Sequence, residues 1–479
     1  LNKVLITYNV VIKSDWDLSK IKGKIIFANK FCKMTHKIKT TPVDKWVAEP
    51  INRFMKKSTS GGVVLFIAAL IAIFMANSQW AEQYAAFWEN NHIGFSLNNM
   101  VLSHSFKEWV NDGLMAIFFF VVGLELKREL TTGELSSPKK AMLPIIAAIG
   151  GMVVPALVYA VFNAGTDAAH GWGIPMATDI AFALGVLYLL GDKVPTSLKV
   201  FLTALAIADD LGAVLVIAIF YTSDLSLVNL GIGLGFFGLL IISNLIGIKS
   251  TIYYAIIGIG GIWLAFLLSG VHATIAAVLA AFAIPSTSRV NESYFVDKMI
   301  KLKERFLKID PNDKIPALTG EQMDCVEDMR SLTKDALPAS IRLEHSMHSF
   351  VSFVVMPVFA LANAAIPISL GEGETISYVT VGVALGLLIG KVLGVSGLTA
   401  LLIRLKVVPM PEGMNYKNLL GIGFLAAIGF TMSLFVTELA FDVNLHPDFP
   451  DQAKLGILIA SGLGGIIGYV FLALAGRKK

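Results

Sequence analysis

A chain of 479 residues with 55% hydrophobic residues, 15% charged residues and a mean hydropathy of +0.69 is too apolar for a soluble fold, which would carry about 25% charged residues. The net charge is only +4, no nucleic-acid partner is expected, and an integral membrane protein is the class that remains. Two lone cysteines, Cys32 and Cys325, fall in segments predicted to be cytoplasmic and suggest neither a disulfide nor a metal site.

In chain order, residues 1–57 are Lys-rich with little periodicity. They read either as a basic tail on the membrane surface or, because the chain opens with Leu1, as a start-site artefact with Met34 the true start. Apolar stretches of spanning length follow near 60–78, 108–127, 141–162, 173–191, 196–220, 228–248, 252–269 and 271–286. A polar insert over 286–340 interrupts them; its YFVDKMIKLKERFLKI pattern predicts a cytoplasmic loop with one surface helix. Further stretches lie near 346–367, 377–404, 417–440 and 454–475. The domains are therefore the 1–57 tail, helices 1–8 over 58–285, the 286–340 insert and helices 9–12 over 341–479, an all-α membrane fold of about 12 transmembrane helices. Alternate connections carry acids (Glu82, Glu89, Asp167, Asp224, Glu372, Glu374, Asp442, Asp448, Asp451, against essentially Lys107 alone) or bases (Lys127, Arg128, Lys139, Lys140, Lys193, Lys249, Lys301, Lys303, Arg305, Arg404, Lys406, the Arg477-Lys478-Lys479 tail). That positive-inside pattern places both termini in the cytoplasm.

Two adjacent carboxylates, Asp209 and Asp210, sit inside VFLTALAIADDLGAVLVIAIF. A charge at that depth costs roughly 3 kcal/mol on insertion scales, so such side chains usually have a partner and a task. Asp179 lies in IPMATDIAFALGVLYLLG and Lys391 in VALGLLIGKVLGVSGLTALL. Three acids and one lysine in an apolar bundle suggest a cation or proton path. Two spans also carry helix-weakening residues: Gly171, Gly173 and Pro175 before Ala177-Thr178-Asp179, and Gly421, Gly423 and Gly429 before Thr431. Unwound backbone at membrane depth survives only where protein buries it or it lines a cavity.

The strings STSGGVVLFIAALIAIFMANS, NDGLMAIFFFVVGLELKREL, MATDIAFALGVL, LTALAIADDLGA, SGVHATIAA, RLEHSMHSFVSF, PVFALANAAIPI and GKVLGV, in this order over roughly residues 58–475, resemble the NhaA-type sodium/proton antiporters of bacteria. The resemblance implies inverted repeats built from spans 3–5 and 10–12, with two discontinuous crossing helices, the fourth and eleventh. It also implies a β-hairpin near Asn90 to Phe106, a homodimer, and residence in the bacterial inner membrane.

Sodium is a hard cation that prefers oxygen ligands, and both Asp210 and Asp209 are candidate Na⁺ ligands. Neighbours on a helix point about 100° apart, so one can face a cavity while the other faces a helix. The resemblance gives the cavity to Asp210 and pairs Asp209 with Lys391. Burial disfavours a charged lysine and a nearby carboxylate favours it, so site occupancy can set the balance. Asp179 would compensate the facing helix ends and Thr178 could lend an oxygen. At the cytoplasmic side Asp112 opens the second span and Glu125, Arg128 and Glu129 close it, while Glu344, His345 and His348 begin the ninth. The resemblance makes these a pH-sensing funnel, against the plainer reading of a solvated helix end. His272 reads more often as structural, and Asn363 as a bond across helices.

The function expected is an electrogenic, pH-regulated Na⁺(Li⁺)/H⁺ antiporter that extrudes cytoplasmic sodium for external protons by alternating access. Its partners are Na⁺, Li⁺, protons and the lipid bilayer; no enzyme activity and no cofactor are expected. An intramembrane aspartyl protease needs two aspartates converging on one peptide bond, which adjacent residues cannot do. A cation channel has no need of proton competition and would carry a filter-like carbonyl motif. Another solute transporter on the same fold is the nearer alternative, and AIADDLGA together with the lysine argues against it.

Overall fold

The computed structural model describes residues 60–97, 100–222, 225–248, 250–288, 290–309, 318–367, 377–443 and 445–476. The predicted 1–57 tail, with Cys32 and Met34, lies outside them, as do Asp224, Lys249, Glu372, Glu374 and the last three residues. The chain is a multi-pass membrane protein. Among the described residues seven helices are long and apolar enough to cross a bilayer: Phe106–Thr131, Lys140–Asn163, Thr196–Phe220, Leu227–Ile246, Ala339–Asn363, Tyr378–Arg404 and Asp448–Ala475. Three bent pairs raise the number to ten if each counts as one span. Thr251–Leu267 and Ala273–Ala283 are apolar but shorter; they are separated near Ser269, where the two predicted spans nearly touch.

The first expected span, near 60–78, is the helix Ser60–Ala76, and a short helix that was not expected follows it. Ser60–Ala76 is followed by Ala81–Glu89 at a bend of 116°, and the side-chain Nδ2 of Asn77 at the corner donates to the Ile366 carbonyl at 2.8 Å. The expected hairpin is present as antiparallel strands His92–Leu97 (β1) and Met100–Ser105 (β2), with His92 opposite Ser105 and Leu97 opposite Met100. Ser105 ends β2 and starts the next helix. Its hydroxyl accepts from the Glu108 amide at 3.2 Å while Glu108 accepts from the Ser105 amide at 2.6 Å, a reciprocal cap.

The insert holds two helices where the sequence pattern suggested one. Glu292–Lys308 is joined by Gly320–Ala336. The second is weakly amphipathic in sequence, but a Thr319–Gln322 capping box starts it and it buries Cys325 and Leu332. Cys325 is a buried free thiol.

Close helix packing sets the centre of the molecule. A side chain at Gly394 would collide with the Gly150 carbonyl, and one at Gly390 would meet the Pro155 backbone. Without a Cβ the two backbones approach closely, as small residues allow in membrane bundles. The Tyr378–Arg404 helix is thereby laid against the Pro138–Asn163 helix along the stretch that carries Lys391.

Candidate ion-binding site

Glycine and proline weaken two helices where the sequence predicted, and the two breaks meet. Asp167–Met176 winds as a tight 3₁₀ turn, residues 177–179 are extended, and Ile180–Leu189 resumes at a bend of 41°. Tyr416–Ala426 gives way to Phe430–Ala440 at a bend of 45°. The Asp179 amide donates to the Ile428 carbonyl at 2.7 Å, so unwound backbone on one side satisfies unwound backbone on the other.

Asp179, 1% exposed, serves two helices at once. One oxygen accepts from the Phe182 amide at 3.0 Å as the cap of its own helix. The other accepts from the Thr431 amide at 3.1 Å and the Thr431 hydroxyl at 2.5 Å. Each helix N-terminus carries about half a positive charge, so a single carboxylate faces close to one unit of positive dipole charge.

Asp209 and Asp210 ride the Thr196–Phe220 helix, both 1% exposed, and their surroundings differ completely. Asp209 is ion-paired with Lys391 and accepts from the Thr178 hydroxyl at 2.7 Å on the same oxygen. That hydroxyl also lies 3.0 Å from the Ala426 carbonyl, so its one proton is shared between a carboxylate and a broken-helix end. Lys391 is wholly buried and sits between two wide helical turns, Gly386–Gly390 and Val392–Gly397; such turns interrupt the regular hydrogen-bond ladder and cluster at functional sites. Neither oxygen of Asp210 has a hydrogen-bond partner among the described residues. A buried carboxylate in that state is expensive, and a bound proton or a hard cation relieves it.

The second predicted cluster also assembles. Arg128 binds Glu344 at 2.7 Å and Glu129 at 3.1 Å, and Glu129 accepts from the Glu134 amide at 3.0 Å. His348 lies 3.8 Å from Glu125. His345 is exposed on the same helix.

Asp112 does not belong with this group. It lies thirteen residues before Glu125 on one helix, about 20 Å along the axis. Its neighbours are His104 of the hairpin and His272. The sequence reading joined both ends of the span into one cluster, and helix rise separates them. The imidazole of His272 is 2.9 Å from the Tyr221 carbonyl, a contact that ties the start of Ala273–Ala283 to the end of Thr196–Phe220. Asn363 donates across helices to Asn111 at 2.8 Å.

Four features escaped the sequence reading. Thr431 holds Asp179, and the carbonyls of Ala426 and Ile428 face the first break; their proximity to Gly429 was the available signal. Asn111 pairs with Asn363, with nothing in its own neighbourhood to announce it. A cluster of Lys107, Glu438 and Lys454, the last buried and the other two partly buried, lies at the hairpin end. Glu438 and Lys454 each sat near a predicted span end, where a charge draws no notice.

Apolar helices that bury three carboxylates and one lysine around two facing helix breaks define a polytopic membrane protein with an ionisable centre, the architecture of an ion transporter. The model of the family described as Na⁺/H⁺ antiporter 1 matches residues 52–472. The chain belongs to that family, a family of transporters. A protein of Wolinella succinogenes named Na⁺/H⁺ antiporter NhaA is 46% identical over 426 residues, covering 89% of this chain and 93% of that relative. Proteins with the same name from Acidithiobacillus ferrooxidans and Christiangramia forsetii are 45% and 43% identical, covering 90% of this chain and 98% and 96% of their own lengths.

Proposed function

We propose that this chain exchanges Na⁺, and Li⁺, for protons at Asp210, with the Asp209–Lys391 pair as the second proton-linked element. The observation that carries the reading is the contrast between neighbours: Asp209 is paired, and Asp210 is buried with neither oxygen bonded. One carboxylate can hold a cation or a proton but not both, so each expels the other. A cation near Asp209 and Asp210 also weakens the hold on the Lys391 proton, because charges of like sign at short range disfavour each other. Loss of a proton from each element per ion moves net charge. At 100 mV one charge corresponds to about 2.3 kcal/mol, roughly a fiftyfold concentration ratio.

In this reading each bent pair and both shorter apolar helices are spans, twelve in all, arranged as inverted repeats whose fourth and eleventh spans cross at Asp179. Both termini and the insert face the cytoplasm of a bacterial inner membrane, and the protein works as a homodimer. Movement of the repeat core against the remaining helices gives alternating access. The Arg128–Glu344–Glu129 network with Glu125, His345 and His348 governs activation by pH at the insert end, and Thr178 lends its oxygen at the site.

The test is dequenching of a ΔpH dye in everted vesicles on addition of Na⁺, Li⁺ or K⁺ between pH 6.5 and 8.5, in wild type and Asp210→Asn. A Na⁺ and Li⁺ response that rises with pH and is lost in Asp210→Asn is expected. A wild type silent at every pH sinks the exchange reading, and a response that survives in Asp210→Asn sinks the site.

A further inference from the structure

The cluster at the hairpin end takes no part in the site described above. Lys107 contacts one Glu438 oxygen at 2.8 Å and Lys454 the other at 2.9 Å, with side chains 19%, 10% and 7% exposed for Lys107, Glu438 and Lys454. Each residue comes from a different element. Lys107 opens Phe106–Thr131, Glu438 lies in the last turn of Phe430–Ala440, and Lys454 lies in the second turn of Asp448–Ala475.

Phe430–Ala440 therefore carries a contact to the site at one end and this cluster at the other. Thr431 holds Asp179, and Glu438 is seven residues further on, about 10 Å along the axis. An eleven-residue helix is short enough to move as a rigid piece, so displacement at either end is transmitted to the other. Besides the Asp179 carboxylate on Thr431, its start is held by neutral bonds: the Ser433 hydroxyl to the Ile174 carbonyl at 2.8 Å, and the Phe430 amide to the Ser461 hydroxyl at 3.2 Å. Its ion pairs with lysine lie at the far end.

We propose that Glu438 and its two lysines are the closing element of the hairpin end, a clamp that is dry and paired in this state and opens in the half-cycle exposing the site to that side. The proposal rests on the exchange reading. Its physical basis is reversibility. Ion pairs are strong when water is excluded and weak when it enters, and hydration of the separated charges offsets most of the attraction lost on opening. The lysines also have other carboxylates to turn to, since Asp451 acts on both Lys107 and Lys454, and Glu89 acts on Lys454. A clamp with those alternatives can release without stranding a bare charge.

The experiment locks the clamp. Lys107→Cys and Glu438→Cys are combined in a chain carrying Cys32→Ser and Cys325→Ser, and treated in vesicles with a short reducible bis-methanethiosulfonate. Linkage is verified by mass spectrometry. The linked protein should lose Na⁺-driven exchange by about tenfold or more and regain it with reductant, while neither single-cysteine chain responds to the reagent. Undiminished exchange in the linked protein overturns the clamp, whereas absence of exchange in untreated wild type overturns the exchange reading itself.

A second variant needs no linker. Glu438→Gln should lower the apparent KM for Na⁺ offered at the hairpin side and raise it at the opposite side, each by about fivefold, because it favours the state open at the hairpin end. A change of equal direction on both sides, or no change, is a structural effect alone and overturns the proposal.

Discussion

The centre of the molecule and its hairpin end are both built from buried and partly buried lysines and carboxylates, in opposite proportion. At the centre three buried acids, Asp179, Asp209 and Asp210, stand beside one buried lysine, Lys391, which pairs with Asp209. At the hairpin end two lysines share Glu438. Helix N-termini supply Asp179 with its positive charge and Lys391 supplies Asp209, which leaves the deficit on Asp210. In the exchange reading proposed above, a proton or a small cation fills that deficit. Glu438 has a lysine on each oxygen, so this carboxylate ties helices together and has no vacancy for a cation. Burial of charge alone thus says little about transport, and the local balance says much more.

The comparison can be broken by removing one partner at a time. Losing one member of a buried pair costs about 3–5 kcal/mol when the other is left charged and alone. Asp209→Asn or Lys391→Met should therefore lower the unfolding midpoint in detergent strongly, and the double variant should recover much of the loss. At the hairpin end Lys454→Met leaves Lys107 on Glu438, and the cost should be smaller, about 1–3 kcal/mol. Equal losses at the two places would contradict the difference in their charge balance.

Asp179 is the next test, because it acts through dipoles instead of a formal cation. Asp179→Ala uncaps two helices, and at about 1 kcal/mol per cap it should cost about 2 kcal/mol in the same unfolding assay. Thr431→Val removes only the hydroxyl and keeps the backbone donor, so about 1 kcal/mol is expected. If Thr431→Val costs as much as Asp179→Ala, the second helix is held chiefly by that hydroxyl and the shared-carboxylate description fails.

Most of the helical skeleton was legible because apolar length and glycine-proline breaks are local signals. The expected breaks fall within a few residues of 177–179 and 427–429, where backbone chemistry alone weakens a helix. Asp209, Asp210, Lys391 and Asp179 stood out for the same reason: a charge in an apolar run is visible without a fold. What remained hidden depends on contacts between distant segments. Nothing near Glu438 in the chain indicates Lys107, 331 positions earlier, and nothing near Asn111 indicates Asn363. The Asp112 error has the converse cause, since nearness in sequence along one helix became distance in space. The second insert helix was missed because its polar composition hides the few side chains it buries.

The insert end gives the smallest effects and the sharpest discrimination. Arg128→Gln leaves Glu344, 4% exposed, without its 2.7 Å partner, and about 2–3 kcal/mol of stability should go with it. The His348–Glu125 contact is 3.8 Å long, and the histidine side chain is 67% exposed. Water screens such a pair, so His348→Gln should change stability by less than about 0.5 kcal/mol. If the Arg128–Glu344–Glu129 network carries the pH response, the profile of Na⁺-driven dequenching moves in Arg128→Gln and stays in place in His348→Gln. A profile that moves for His348→Gln with the unfolding midpoint unchanged would assign the response to the imidazole, and the buried network would then be a brace for the helix ends.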